Sequence, residues 1–191
     1  MDLVLASTSP YRRALLERLG VPFRCVPPTV DEDALKDPAL APRDLARHLA
    51  RAKAASVAAD APRAVVIGSD QLVALDGRIH GKPGSVEAAV GQLLALAGRP
   101  HELITALAVA HDGRWSEHTD VTTLWMRPLT RAEAKRYVAA DRPTDCAGAY
   151  KFEERGITLF ERIESSDHTA ITGLPLIALT TILRTLGVVI P

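Results

Sequence analysis

The sequence LASTSPYRRALLERLG, residues 5–20, contains the signals that decide the fold at the start of the chain. The apolar residues at its beginning belong to a short buried strand, which we predict over Leu3–Ala6. A Ser/Thr-Pro turn follows and leads into an amphipathic helix, predicted for Tyr11–Leu19 and ended by Gly20. The chain therefore begins as a strand, a turn and a helix.

Two adjacent arginines, Arg12 and Arg13, stand at the first turn of this predicted helix. Positive side chains there oppose the helix dipole, which favours negative charge at that end. Ser7, Thr8 and Ser9 supply hydroxyl and backbone N–H groups just before the helix, where phosphate is commonly bound. Guanidinium groups also match phosphate oxygens. The pattern indicates either a phosphate cradle or an ordinary capped helix with two solvated arginines, and it favours neither.

The composition is that of a globular protein without overall charge. The 191 residues are 47% hydrophobic, and 23 Lys and Arg balance 23 Asp and Glu. This balance gives no general attraction to nucleic acid or membranes, and no apolar run is long enough for a transmembrane helix. Cys25 and Cys146 lack metal-site spacing, and no secretory signal is visible, so we expect a cytoplasmic protein.

The rest of the chain continues the mixture of strands and helices. A helix is predicted over 43–60 with Leu45 and Leu49 on its apolar face, and a buried strand over Ala64–Ile67. Further signals are hairpin turns at Asp76-Gly77 and Asp112-Gly113, a Ser85 cap, a Thr130/Glu133 capping box, a strand after the loop in 147–164, and a helix over Pro175–Leu186. This order predicts an α/β or α+β protein, with one domain over residues 1–191 and no long linker.

Several charged residues are candidates for chemistry. Asp70 directly follows a predicted strand, where a carboxylate is often part of an active site, although a simple turn explains it as well. The acidic run Asp31–Asp33 lies in an irregular, proline-flanked stretch, and it either ligates magnesium or is exposed, exposure being the commoner case. Lys53 lies near the apolar side of its predicted helix and Lys82 follows a hairpin, but each is typical of a solvated surface when taken alone. Together these groups match what hydrolysis of a nucleoside triphosphate requires, and no P-loop motif is present.

Several stretches occur in the order seen in the Maf family, and the chain resembles these nucleotide pyrophosphatases over nearly its full length. They are LASTSPYRRALLERLG (5–20), VDE (30–32), LARHLARAKA (45–54), VVIGSDQLVALDGRIHGKP (65–83), LAGRPHELITALAV (96–109), AGAYKFEERGITLFERIE (147–164) and TGLPL (172–176). The resemblance implies an ITPase-like α/β fold with a mixed sheet and two lobes flanking a nucleotide cleft. It also implies cleavage between the α and β phosphates, dependent on Mg²⁺, Mn²⁺ or Co²⁺.

The resemblance assigns a role to individual residues. Asp70 matches the catalytic carboxylate, which either activates water or holds the metal, and Glu32 matches an acidic position near the metal. The positions associated with the triphosphate are Ser7, Ser9, Arg12, Lys53 and Lys82, and Arg13 completes the arginine pair expected to face the phosphates.

Three positions resemble the subfamily that hydrolyses 7-methyl-GTP. Tyr11 replaces the first arginine of the general pattern, Gln71 follows Asp70, and Glu153 stands where pyrimidine-selective members have glutamine. Methylation at N7 gives guanine a positive charge, which an aromatic face attracts by roughly 0.5–2 kcal/mol. A glutamate carboxylate accepts hydrogen bonds from guanine N1–H and the exocyclic amine. Alternatively, Tyr11 only packs on its helix and Glu153 is a solvated charge.

Two other functions stay open at the level of sequence. One is a pyrophosphatase for dTTP, UTP or a broad set of modified nucleotides. The other is a non-catalytic nucleotide-binding regulator of cell division. In each case the expected partner is a nucleoside triphosphate, with no nucleic acid and no membrane, and the sequence leaves open whether the chain forms a homodimer.

Overall fold

The computed structural model describes residues 1–190, which form seven β-strands and seven α-helices. The strands are β1 (Leu3–Ala6), β2 (Arg24–Val26), β3 (Val65–Leu75), β4 (Arg78–His80), β5 (Pro100–His111), β6 (Arg114–Met126) and β7 (Phe160–Glu164). The helices are α1 (Pro10–Glu17), α2 (Glu32–Leu35), α3 (Pro42–Ala58), α4 (Val86–Leu96), α5 (Arg131–Asp141), α6 (His168–Thr172) and α7 (Leu176–Thr185). Short 3-10 turns occupy Ala147–Ala149 and Arg155–Leu159.

The strands form one mixed sheet in the order β2-β1-β3-β5-β6-β7, with β4 paired to β3. Strand β1 is parallel to both of its neighbours, so that Leu5 lies opposite Cys25 on one side and Ile67 on the other. Strands β4 and β7 are antiparallel to β3 and β6. The mixed α/β architecture predicted from the sequence is confirmed.

The chain divides into two compact units. The first contains residues 1–70, 105–120 and the segment from Asp167 onward, and the second contains residues 71–104 and 121–166. The single-domain organisation expected from the sequence stays a prediction.

Side chains of the first unit are buried on both faces of its strands. Because successive strand residues point to opposite faces, Leu5 and Ile67 pack with apolar residues of α1 and α7, such as Leu16 and Leu179. The intervening residues of β1 and β3 pack with α3: this cluster contains Val4, Ala6, Val66, Ala54 and Val57. The first unit therefore has a helical layer against each face of the sheet.

The second unit is built around α4 and α5, which contact each other. The predicted capping box is present: the Thr130 side chain accepts from the Glu133 backbone N–H, and the Glu133 carboxylate accepts from the Thr130 N–H. His101, Tyr150 and Phe160 form an aromatic cluster with ring centroids 5.0–5.9 Å apart. Burial of these rings stabilises the unit.

The tight turns were predicted correctly. Asp76 and Gly77 have φ values of 49° and 76°, and Asp112 and Gly113 have values of 47° and 72°. Positive φ at both central residues is the geometry of a two-residue hairpin turn whose twist matches that of the strands.

Two local expectations were wrong. Strand β3 continues to Leu75, so Asp70 lies inside a strand and not at its end. The acidic stretch expected to be irregular contains helix α2, because the Asp31 side chain accepts from the N–H groups of Asp33 and Ala34.

Both cysteines are free thiols. No helix in residues 1–190 combines the length and the hydrophobicity needed to cross a bilayer.

Candidate active site

A buried ion pair lies in the first unit. The Lys53 ammonium donates to Asp70 Oδ1 at 2.6 Å, and these residues are only 6% and 5% exposed. The same ammonium lies 3.0 Å from Glu32 Oε1. One cation therefore joins two carboxylates from α2 and β3, in a place where charges need a partner to be tolerated.

Helical periodicity explains why a lysine points inward here. The buried residues of α3 are Leu45, Ala46, Leu49, Ala50, Lys53, Ala54 and Val57, which recur at the spacing of one helix face. Lys53 is thus on the apolar face, as the sequence predicted. The opposite face of α3 carries exposed charges such as Arg47 and Arg51.

Gly68 allows α3 to approach β3 closely. A Cβ atom at this position would lie 2.3 Å from the Ala50 carbonyl oxygen and 2.8 Å from the Ala54 backbone nitrogen. Side chains alternate along a strand, so Gly68 and Asp70 share the face that α3 covers. The absence of a side chain at Gly68 therefore brings Lys53 within reach of Asp70.

The two oxygens of the Asp70 carboxylate are in different surroundings. Burial raises the pKa of this carboxyl, and the positive charges of Lys53 and Arg12 act against that increase. Oδ1 accepts from Lys53, whereas Oδ2 is buried and has no hydrogen-bond partner within residues 1–190. Such an oxygen suits a group that accepts a proton from water or binds a cation.

The side chain of Arg12 is fixed at its Nε by a hydrogen bond to a backbone carbonyl. Its Nε donates to the Gly173 oxygen at 2.9 Å, and Ser69 Oγ donates to the same oxygen at 2.9 Å. Burial lowers the pKa of the Arg12 guanidinium, while the charges of Asp70 and Glu32 raise it. Arg12 therefore lies in the field of both carboxylates.

The turn between β1 and α1 contains the side-chain cap of that helix. Ser9 N donates to Ser7 Oγ at 3.1 Å, and Ser9 Oγ caps α1 by accepting from the Arg12 N–H at 3.4 Å. Arg13 differs from Arg12: its side chain is 65% exposed and pairs with Glu17 at 3.0 Å. The capped helix is thus real, and a role of this turn with phosphate stays a prediction.

Arg12, Glu32, Lys53 and Asp70 come together in the first unit, with Ser7 and Ser9 in the turn that precedes Arg12 and a half-buried Tyr11 beside it.

The remaining candidates belong to the second unit. Gln71 is half-buried on β3, Lys82 is exposed after β4, and Glu153 is exposed near the 3-10 turns. Desolvation raises the pKa of the Glu153 carboxyl. The parts of these three residues in the site stay predictions.

The contacts of Gly173 and Ser69 with the site were not predicted from the sequence. The functional group of Gly173 is a backbone oxygen, which no residue type announces. The only available signal was the stretch TGLPL, residues 172–176, which carries the family resemblance without suggesting a role.

The donor set fits a divalent cation that takes some ligands from the protein and the others from a substrate and water. Within the described residues, no three His, Cys, Asp or Glu side chains are grouped so as to hold a metal by themselves. Asp70 and Glu32 nevertheless provide two carboxylates joined by one ammonium, and within residues 1–190 Asp70 Oδ2 has no hydrogen-bond partner. Mg²⁺ is commonly held by one or two carboxylates together with phosphates and waters.

A model of the family described as "Maf-like protein" matches residues 2–186 of the chain. The chain is 52% identical over 184 residues to the 7-methyl-GTP pyrophosphatase of Bdellovibrio bacteriovorus, covering 96% of each protein. It is 47% identical over 190 residues to the 7-methyl-GTP pyrophosphatase of Xanthomonas campestris pv. campestris, covering 99% of this chain and 98% of that protein.

Among solved structures, the fold is similar to a HAM1 protein from Coxiella burnetii. The TM-score is 0.50 with 14% sequence identity, and the match covers 98% of both chains. At this identity the likeness concerns the fold alone.

Proposed function

Because this chain belongs to the Maf-like protein family, we propose that it is a nucleoside triphosphate pyrophosphatase whose substrate is 7-methyl-GTP. Water is added across the bond between the α and β phosphates, and the products are 7-methyl-GMP and pyrophosphate. The observation that carries the proposal is the buried Asp70, whose Oδ1 is held by Lys53 while Oδ2 is unpaired among residues 1–190.

Asp70 is proposed to orient the attacking water and accept its proton at Oδ2. A general base works best when its pKa approaches the working pH, and burial moves the pKa of Asp70 in that direction. The Lys53 ammonium favours the ionised carboxylate by lowering its pKa against the effect of burial. Position and electrostatics therefore both suit the role of base.

Asp70 and Glu32 are the residues that would hold a divalent cation such as Mg²⁺, Mn²⁺ or Co²⁺. When bound, such an ion neutralises charge on the phosphate oxygens. The Lys53 ammonium holds the two carboxylates together beforehand, at 2.6 Å from Asp70 and 3.0 Å from Glu32.

The cationic groups are proposed to bind the triphosphate. Arg12 and Lys53 already lie near Asp70, and fixed cations stabilise the charge that develops on the departing pyrophosphate. Ser7 and Ser9 offer hydroxyl groups in the turn before α1. We assign Lys82 to the same chain of phosphates because the family resemblance matches it there, and Arg13 to its outer end.

Base selectivity is assigned to Tyr11, Gln71 and Glu153. The negative charge of a carboxylate complements the cationic 7-methylguanine ring, whereas a glutamine would be neutral. Desolvation raises the pKa of the Glu153 carboxyl, although the residue is exposed and accessible to a ligand. The two free cysteines fit a reduced, cytoplasmic enzyme.

The proposal is tested by pyrophosphate release from 7-methyl-GTP, GTP, dTTP and UTP in the presence of magnesium. We expect the highest kcat/KM for 7-methyl-GTP. Higher values for dTTP or UTP would assign the enzyme to pyrimidine nucleotides, and no release from any of the four would leave only a nucleotide-binding role.

Glu153→Gln tests the basis of the selectivity. We expect the ratio of kcat/KM for 7-methyl-GTP over GTP to fall by about five- to tenfold. Both bases offer the same N1–H and amine donors, but only the methylated ring is cationic, and charge assistance adds roughly 1–1.5 kcal/mol to a hydrogen bond. Glu154→Gln removes the neighbouring exposed carboxylate and serves as the matched control. An unchanged ratio in Glu153→Gln would remove this residue from base recognition.

A further inference from the structure

One backbone oxygen contacts both the side chain of Arg12 and the residue that precedes Asp70. The Gly173 carbonyl accepts hydrogen bonds from Arg12 Nε and from Ser69 Oγ, each at 2.9 Å. Ser69 immediately precedes Asp70 on β3 but points to the opposite face of the strand. The position of this oxygen therefore sets both the direction of the Arg12 side chain and the attachment of β3 next to the catalytic carboxylate.

The backbone around Gly173 is in a conformation that favours glycine. Gly173 ends helix α6 with φ 113° and ψ 10°, and its N–H donates to the Ala170 oxygen. A residue with a Cβ is strained at such a φ, so the direction of this carbonyl depends on glycine.

Two buried side chains hold this turn in place. Asp167 Oδ1 accepts from the Thr169 N–H at 2.9 Å and from Thr169 Oγ1 at 2.6 Å, and Asp167 Oδ2 accepts from the Ile177 N–H at 2.8 Å. Thr169 Oγ1 in turn accepts from the Leu176 N–H at 2.9 Å. Asp167 and Thr169 are 4% and 3% exposed. Two of these four hydrogen bonds, those from the Leu176 and Ile177 N–H groups, tie the start of α6 to the start of α7, on either side of Gly173.

We propose that Asp167 and Thr169 are positioning residues for the triphosphate. They hold the Gly173 carbonyl, the carbonyl fixes Arg12 through Nε, and the terminal nitrogens of Arg12 are thereby presented to phosphate oxygens. A guanidinium anchored at Nε loses less conformational freedom when it binds phosphate, so the anchor increases affinity. The inference rests on the proposed function only in assigning Arg12 to the phosphate chain.

The test measures the binding of magnesium tripolyphosphate to the full chain by calorimetry. We expect Thr169→Val to raise Kd by about tenfold, and Arg12→Ala to raise it at least as much. The double variant should bind no more weakly than Arg12→Ala alone, because Thr169 acts through Arg12 and the two effects are then not additive. Additive effects on Kd would overturn the proposal, because Thr169 would then act independently of Arg12.

Two matched variants separate positioning from general destabilisation. Thr169→Ser keeps the hydroxyl and is expected to keep the Kd of the unmodified protein. Thr105→Val removes the hydrogen bond from Thr105 Oγ1 to the Ala170 oxygen of the same helix, and it should leave Kd unchanged. A tenfold weaker binding in Thr105→Val would overturn the proposal. If Thr169→Val yields no folded protein, Asp167→Asn disrupts the same turn at the Ile177 N–H, and the same expectations apply to it.

Binding and turnover are read separately. If the unmodified protein does not hydrolyse 7-methyl-GTP, but the effects of Thr169→Val and Arg12→Ala on Kd are non-additive, the proposed function is overturned and this inference stands. If the unmodified protein hydrolyses 7-methyl-GTP, but the effects of the two substitutions on Kd are additive, this inference is overturned and the proposed function stands.

Discussion

Asp70 combines two opposing influences on one carboxyl group. Burial favours its neutral form, while Lys53 and Arg12 favour the ionised form. A carboxylate that is both ionised and poorly solvated is a better proton acceptor than one on the surface. The proposed role of Asp70 as a base therefore depends on its ion pair with Lys53.

Asp70→Asn isolates the chemical role of this carboxylate. We expect kcat to fall by about 10²–10⁴-fold, because an amide neither accepts a proton from water nor serves as an anionic ligand. Nucleotide binding should persist, since Arg12 and Lys53 remain. Pyrophosphate release gives kcat and calorimetry gives Kd. Unimpaired turnover would exclude Asp70 from the reaction.

Lys53→Met shows what the ammonium does for Asp70. Removing the positive charge raises the pKa of the carboxyl further, since Lys53 lowers it in the intact protein. Activity that requires ionised Asp70 is lost as pH falls through this pKa, so the acidic limb of the kcat/KM profile should move to higher pH.

Lys135→Met, on the exposed surface of α5, is the control for loss of a lysine. Its pH profile should keep the original shape. An acidic limb in Lys53→Met that coincides with that of the unmodified enzyme would show that Lys53 does not tune Asp70.

At the scale of elements, the contact of α3 with β3 decides whether the ion pair between Lys53 and Asp70 forms. This contact depends on Gly68, where even a methyl group would meet the helix backbone at 2.3 Å from the Ala50 oxygen. A helix backbone cannot move by the rotation of a side chain, so the whole of α3 would have to shift.

Gly68→Ala is therefore expected to destabilise the fold by about 1–3 kcal/mol and to lower kcat, because α3 carries Lys53 away from Asp70. Gly91→Ala in α4 is the matched control, since a Cβ there meets nothing within 4 Å. Alanine is a better helix former than glycine, so this variant should gain roughly 0.5–1 kcal/mol. Thermal unfolding measures both. A Gly68→Ala protein as stable and active as the parent would contradict the role of the close contact.

Elements with strong local signals were predictable from the sequence. The hairpins at Asp76 and Asp112, the caps at Ser85 and Thr130, and the inward face of α3 depend on neighbours within one turn. The full length of β3 was not predictable, because the polar residues from Ser69 to Gln71 read as a turn. They remain in the strand since tertiary contacts, such as that of Ser69 with Gly173, stabilise the extended backbone.

At the scale of the molecule, the candidate site is assembled from distant parts of the chain. Arg12 and Gly173 are 161 residues apart, and Lys53 and Asp70 are 17 apart. Spacing alone did not place these groups together, and only the family resemblance suggested that they meet. The carbonyl of Gly173 stayed hidden for a further reason, since a backbone group has no signature in the sequence.

The stability of the whole chain should decrease in acid because of one buried histidine. His101 is 3% exposed, and burial lowers its pKa from 6.5 to about 4. Between these values the unfolded chain binds more protons than the folded one, so stability falls as pH decreases from 6.5 to about 4. The total loss is about 3 kcal/mol, at about 1.4 kcal/mol per pKa unit.

The measurement is chemical denaturation across this pH range. His101→Gln keeps a group able to hydrogen-bond with the Tyr150 hydroxyl but does not titrate, so the fall in stability should largely disappear. His118→Gln, at an exposed position, should retain it. An equally steep fall in His101→Gln would assign the acid sensitivity to other groups.

The hydrogen bond between Arg12 and the Gly173 carbonyl also has a consequence for biosynthesis. While the ribosome is still translating the segment before Asp167, the nascent chain has no partner for Arg12 Nε or Ser69 Oγ. Strands β1 and β3 then expose the apolar side chains that α7 later covers. The apolar face of β1 and β3 is therefore covered, and the contact of Arg12 with Gly173 is made, only after the residues from Asp167 onward have been synthesised.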